Sequence, residues 1–289
     1  MKAKQTIFKS IFLLTTILCM AFAPLLQAET AAEKGRRISE TVDSLPALER
    51  MIAETVLNIY DAQGNKLFAK KSRTATYVKD FRDHKKKLSR SISYFFSPAD
   101  DKGNAALMIE NTGEDDDQWL YLKGLRKPKR VVGSDKSSSF MGSDFSNGDI
   151  GARDIDDYNY LWIATEKVKF SKKKLTVEKI QATFKDPQKS NDYGYSKTIA
   201  WIHVKSGLPI KTEMYDLNGQ LIKTTQLKSF KVKKNRDGKK VFMPTGVVMK
   251  NVLRGTKTEM FMKHIKTGKK AKKIKPAIFK VNYLTRRWW

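Results

Sequence analysis

The groups able to do chemistry are few and far apart. Among 289 residues there are three histidines, His84, His203 and His264, and one cysteine, Cys19. No two histidines share a metal-ligand spacing, so a metal site would rest on carboxylates alone. The acidic runs Glu114-Asp115-Asp116-Asp117 and Asp154-Ile155-Asp156-Asp157 lack the spaced oxygen ligands of a calcium loop and read as solvated turns. No Gly-x-Ser-x-Gly elbow presents a serine nucleophile; Ser134, Ser143 and Ser146 follow or approach glycines as turn residues do. A Gly-x-x-x-x-Gly-Lys phosphate loop is absent as well. The expectation is no catalytic residue, no metal and no cofactor, with hydrolysis the weakest of the functional hypotheses.

The residues that stand out are apolar. Hydrophobic residues make up 40%, with 15 Phe, 10 Tyr and 5 Trp, enough to fill a core and exclude wholesale disorder. The charge is +27, from 57 Lys+Arg against 30 Asp+Glu. Lys2, Lys4 and Lys9 precede the apolar run Ile11–Met20, and Leu26-Gln27-Ala28 offers a cleavage site, so residues 1–28 read as a secretory signal peptide. Cys19 falls inside it, behind Ile17-Leu18 rather than small residues, which argues against lipidation. The exported product, residues 29–289, then forms one domain, lacks cysteine and carries about +24. Export argues against nucleic acid as the partner of that charge and leaves anionic lipid head groups or acidic protein surfaces.

The elements that must position the aromatics are mainly strands. Ile38, Val42 and Leu45 share a helical face before Pro46 breaks the pattern, and a first strand follows around Glu54–Tyr60. Gln63-Gly64-Asn65, Leu217-Asn218-Gly219 and Arg236-Asp237-Gly238 predict hairpin turns. Ala200 and Ile202 alternate with Trp201 and His203, and Thr245–Arg254 is apolar on both faces. Successive turns without a βαβ rhythm predict one large, curved antiparallel sheet. Gly133–Tyr160 is rich in Gly, Ser and Asp yet carries Phe140, Met141, Phe145 and Ile150; it is expected to be an ordered lid.

Several segments together resemble a known family. They are Asp117-Gln118-Trp119-Leu120-Tyr121-Leu122, Lys129-Arg130-Val131, Phe140-Met141-Gly142-Ser143-Asp144-Phe145, Asp149-Ile150 and Asp156-Asp157-Tyr158. Ser97–Gly103, Ala200-Trp201-Ile202, Leu208-Pro209-Ile210-Lys211, Met243-Pro244-Thr245 and Phe279-Lys280-Val281 also fit. The chain is similar, from about Glu29 to Leu284, to the outer-membrane lipoprotein-sorting family, relatives of the periplasmic carrier LolA and the receptor LolB. It departs from them in the lysine-rich run Lys167–Lys174 and in the terminal Arg286-Arg287-Trp288-Trp289. The resemblance implies a mainly β (α+β) fold, an unclosed and strongly curved antiparallel β-barrel whose mouth is covered by helices.

It also implies a non-catalytic periplasmic carrier that binds the acyl chains of lipoproteins or other envelope lipids in an apolar cavity and moves them toward the outer membrane. An inner-membrane transporter and an anionic membrane surface are the accompanying partners. Candidate lipid contacts are Trp119, Tyr121, Phe140, Met141, Phe145, Trp162, Trp201 and Met249; candidate membrane contacts are Arg286, Arg287, Trp288 and Trp289. The competing reading is an envelope adaptor of a transport complex without lipid cargo. An open cavity favours the carrier, and a filled core favours the adaptor.

Overall fold

The computed structural model describes residues 28–81, 86–111, 114–151 and 153–289. The signal-peptide reading, Cys19 and His84 lie outside the described residues. Ala31–Trp289 forms one compact unit. It opens with helix α1 (Ala31–Asp43), which buries Gly35, Ile38 and Ser39.

Six strands follow in a meander: β1 (Arg50–Tyr60), β2 (Lys66–Phe81), β3 (Lys86–Ser97), β4 (Ala105–Ile109), β5 (Asp117–Leu122) and β6 (Lys127–Arg130). A second meander runs β7 (Tyr158–Phe170), β8 (Lys173–Phe184), β9 (Lys197–His203), β10 (Leu208–Tyr215), β11 (Leu221–Lys234), β12 (Lys240–Asn251) and β13 (Lys257–Thr267). The last strand returns to pair antiparallel with the first, Val56 opposite Phe261. The result is one 13-stranded antiparallel sheet in the order β6-β5-β4-β3-β2-β1-β13-β12-β11-β10-β9-β8-β7, with β6 and β7 as free edges. The expected hairpins form where the turn residues stand, and Gly219 and Gly238 adopt φ of 80° and 78°, which a side chain would resist.

The sheet is curled. Strands β4 and β9 lie eight places apart, roughly 40 Å along a flat sheet at the usual strand spacing. Yet Ala106 of β4 and Ala200 of β9 line one cavity. Each strand therefore has an inner and an outer face, and period-two alternation assigns its residues.

The outer face carries its own cores. On β2–β4, Ala75, Ile92 and Leu107 pack beneath the C-terminal segment, where Ile274, Phe279 and Leu284 are almost wholly buried. That segment is a chain of short 3₁₀ turns, Gly268–Ala271, Pro276–Ile278 and Val281–Tyr283. On the other half Val177, Trp201, Leu208, Ile210 and Leu227 form a further cluster.

One expectation needs correction, and another meets a competing arrangement. The tail, a candidate membrane contact, folds back on the outer face: Trp288 packs at the edge of the outer core, and Trp289, still 42% exposed, meets Tyr94 edge-on at 5.3 Å and Arg73 at 4.8 Å. Arg286 and Arg287 are exposed, but the two indoles are engaged with the protein. The strand expected over Thr245–Arg254 stops at Asn251, and Val252 and Leu253 sit exposed in the turn.

Candidate functional site

The inner face encloses a cavity of about 600 Å³. Such a volume is in the usual range for a small-molecule pocket. Its walls differ in chemistry. On β1–β3 the inward positions are mostly hydroxyl residues, Thr55, Ser72, Thr74, Thr76, Ser91 and Ser93, beside Leu57 and Phe95. Three of these hydroxyls meet across the strands: Thr74 Oγ1 lies 2.8 Å from Ser93 Oγ and 3.4 Å from Thr55 Oγ1. They therefore form a floor whose hydrogen bonding is partly internal.

Methionines from four strands line the same cavity, Met108 (β4) beside Ser91, Met262 (β13) beside Thr55, and Met260 (β13), Met214 (β10) and Met249 (β12) beyond. Unbranched thioethers adapt to ligands of irregular shape. Helix α1 contributes Val42. Gly35 brings that helix against β7, where a Cβ would come within 2.8 Å of the Trp162 backbone nitrogen.

The segment between the free edges, Val131–Asp157, supplies the remaining cover. It turns at Met141-Gly142, both with positive φ (51° and 73°), and Ser143 N donates to Phe140 O at 3.0 Å. This turn inserts Phe140 and Phe145 among Leu57, Phe95, Met214 and Met249. Its anchor is Asp144, whose carboxylate accepts from Thr256 Oγ1 (2.5 Å), Thr258 Oγ1 (2.8 Å) and Arg254 (3.4 Å). Ser146 caps the single helical turn α2 (Asn147–Ile150) in a capping box with Asp149. Gln118 of β5 donates to Asn147 O at 3.1 Å. The lid is thus tied to both meanders.

Where α2 meets the sheet, charges gather. The Asp149 carboxylate accepts from Ser146 N (2.8 Å), Tyr195 Oη (2.9 Å) and Lys223 Nζ (3.2 Å). Burial first, then the Asp149 charge, pushes the Tyr195 phenol up. Arg153 also lines the cavity, just beyond. A smaller adjoining cavity, sharing Ser91, Met108 and Ile150, holds Glu110, Asp116 and Asp117. Burial raises Glu110 and brings Asp116 to about 6.

The anticipated site residues divide. Phe140, Phe145 and Met249 line the cavity, and Met141 lies in the same buried cluster without lining it. Trp119 and Tyr121 point the other way, into the outer core, because Gln118 and Leu120 take the inward phase of β5. Trp201 faces outward for the same reason, between the inward Ala200 and Ile202, and its Nε1 donates to Glu166 at 2.8 Å. Trp162 sits under α1, donates to Glu178 at 2.7 Å and carries Lys34 over its ring at 3.5 Å. Large aromatics stood out in the sequence, with Met141 and Met249; Met108, Met214, Met260 and Met262, the hydroxyl stripe and Arg153 did not. The stripe was readable as Ser89-x-Ser91-x-Ser93, a period-two polar face beside apolar neighbours.

Among the described residues no group of three or more His, Cys, Asp or Glu is placed to hold a metal, and no helix is long and apolar enough to cross a membrane. His203 Nδ1 lies 2.7 Å from Ser206 Oγ, but the pair locks the β9–β10 turn, where Ser206 also contacts the His203 carbonyl.

A family model, described as that of an uncharacterized protein, matches residues 87–286. A solved domain from Vibrio parahaemolyticus, named for outer membrane lipoprotein sorting, is 26% identical with a TM-score of 0.74. The match covers 88% of this chain and 100% of that one. A DUF1329 family protein from Desulfovibrio piger is 23% identical over 88% of this chain and 99% of its own, with a TM-score of 0.75. A LolA superfamily protein from Nitrosomonas europaea is 19% identical over 86% and 98%, with a TM-score of 0.60, a likeness of fold. No curated protein matches the chain.

Proposed function

The chain belongs to the DUF1329 family, with the LolA-like lipoprotein-sorting fold, and from that premise we propose that it is a non-catalytic carrier of acyl chains. It holds chains of lipoproteins or other envelope lipids in its cavity, is loaded at an inner-membrane transporter, and moves them through the periplasm toward the outer membrane. One observation carries the reading: the sheet and lid enclose an open, methionine-walled space of about 600 Å³ rather than a filled core. A cargo-free adaptor has no use for such a space, since an empty cavity forfeits packing. Each methylene moved from water into it contributes about 0.8 kcal/mol, so a ten-carbon stretch gains roughly 8 kcal/mol before ordering costs.

Ala200, inward on β9, tests this. Ala200→Trp should fill the lumen and weaken a fluorescent fatty-acid probe at least tenfold while the circular dichroism spectrum is kept. Equal binding by variant and wild type would remove the cavity from the proposal.

Contact with an anionic membrane has its own support, away from the tail. Antiparallel pairing brings the β7–β8 and β11–β12 turns to one rim of the sheet, joined by Phe170 against Phe230 at 5.7 Å. The first turn carries Lys169, Lys172, Lys173 and Lys174; the second carries Lys231, Lys233, Lys234, Arg236, Lys239 and Lys240 against Asp237. This rim is the docking surface of the proposal, at about 1 kcal/mol per cation near an anionic bilayer.

A further inference from the structure

Arg153 is the cation the carrier reading leaves unexplained. It lines the large cavity and a narrow extension walled by Tyr158, Phe184, Tyr193 and Tyr195. Its side chain is accessible, yet protein crowds it: burial acts against the guanidinium charge more than any other single influence, while Tyr158, Asp149, Tyr195 and Tyr193 together leave its pKa raised. The two observations agree if its accessible surface opens into the cavity.

Arg153 makes no hydrogen bond or ion pair among the described residues. The carboxylate nearest in the lid, Asp149, is already held by Lys223, Tyr195 and the Ser146 amide. Lys197, in the same narrow extension, lies over the Tyr215 ring at 4.9 Å and adds positive charge. The acids Glu110 and Asp116 belong to the adjoining cavity. Asp149 acts on the guanidinium through space, but among the described residues no acceptor meets its N–H groups, and its planar fork matches the two oxygens of a carboxylate or phosphate.

We infer that Arg153 is an anion-binding group inside the cavity, so the preferred cargo is an anionic amphiphile: an acyl chain along the methionine wall, and a carboxylate or phosphate head on Arg153. This rests on the carrier reading and narrows it. Ester- or amide-linked acyl chains have no charge at their point of attachment and gain nothing from Arg153.

The test compares palmitate and palmitoyl lysophosphatidic acid with uncharged monopalmitin, by calorimetry on residues 29–289 of wild type, Arg153→Met and Arg153→Lys. Wild type should bind the anionic amphiphiles at least tenfold more tightly than monopalmitin. Arg153→Met should bring them down to the monopalmitin level with monopalmitin unchanged, and Arg153→Lys should keep part of the preference. Without ligand, Arg153→Met should melt no lower than wild type, because no protein contact is lost.

Equal affinities in wild type, or a preference that survives Arg153→Met, overturn the anion site and leave the carrier reading standing. Binding of none of the amphiphiles overturns both. Inorganic phosphate and acetate form the last arm. If either binds alone as tightly as the amphiphiles and depends on Arg153, the site serves free anions and the amphiphile assignment fails. A lowered melting temperature in Arg153→Met makes Arg153 structural.

Discussion

Asp144 shows how much a single lid residue can hold. Its side chain is 3% exposed and is met by two hydroxyls of β13 and its approach, with Arg254 outside. Asp144→Ala leaves Thr258, itself fully buried, without its acceptor and removes a charge-assisted contact, at a cost of about 3 kcal/mol. Urea unfolding should show that loss; an unchanged midpoint would mean the lid does not depend on this anchor. Asp116 gives a pH dependence of known sign. Its folded value, about 6, stands above its ordinary 3.8, so the protonated group favours the fold at low pH. That contribution is lost as pH rises from about 4 through about 6. Asp116→Asn keeps an acceptor for Asn111 N and should gain stability over wild type across this window, then hold a constant advantage above it. Thermal melts at pH 4, 5, 6 and 7 check this, and parallel curves would contradict it.

At the scale of elements, the C-terminal tail and the lid make opposite demands on the sequence. Removing residues 285–289 takes Trp288 and Trp289 from the outer face and should lower the melting temperature by a few degrees. Vesicle binding should be unchanged, and the reverse pattern would return the tail to the membrane. Amides of Phe140, Ser143 and Asn147 donate to backbone carbonyls within the lid, so they should exchange slowly even without lipid. Uniformly fast exchange there would contradict an ordered lid. The sheet was legible because its signals are local: Gly219 and Gly238 mark turns, and Ala200-Trp201-Ile202 alternates in the phase observed. Which phase faces the cavity was not legible. Trp119 and Tyr121 look like ligand contacts until the outer face proves to be covered by Ile274, Phe279 and Leu284. That segment has no helical or strand period, because it consists of isolated 3₁₀ turns. Arg153 was invisible for another reason: an unpaired cation is defined by what fails to surround it.

For the whole molecule, the topology that curls the sheet also gathers the lysines of two separate turns at one rim. The acidic β4–β5 turn, with Glu110, Glu114, Asp115 and Asp116, shares that rim on the first meander. Attraction of the basic rim to a bilayer containing phosphatidylglycerol should fade toward 1 M salt, where the screening length falls to about 3 Å. Replacing Lys172, Lys173 and Lys174 with Glu should abolish co-sedimentation at low salt and leave fatty-acid binding intact; unaltered co-sedimentation would clear the rim of that role. Docking and cargo are thereby separate properties of separate surfaces, and the cargo is the central one. The direct measurement is mass spectrometry of lipids extracted from the protein, purified from cells without detergent, beside Ala200→Trp prepared identically. The account predicts acyl lipid near one molecule per wild-type chain and at least tenfold less on the variant. Wild-type protein with no more lipid than the variant would contradict it.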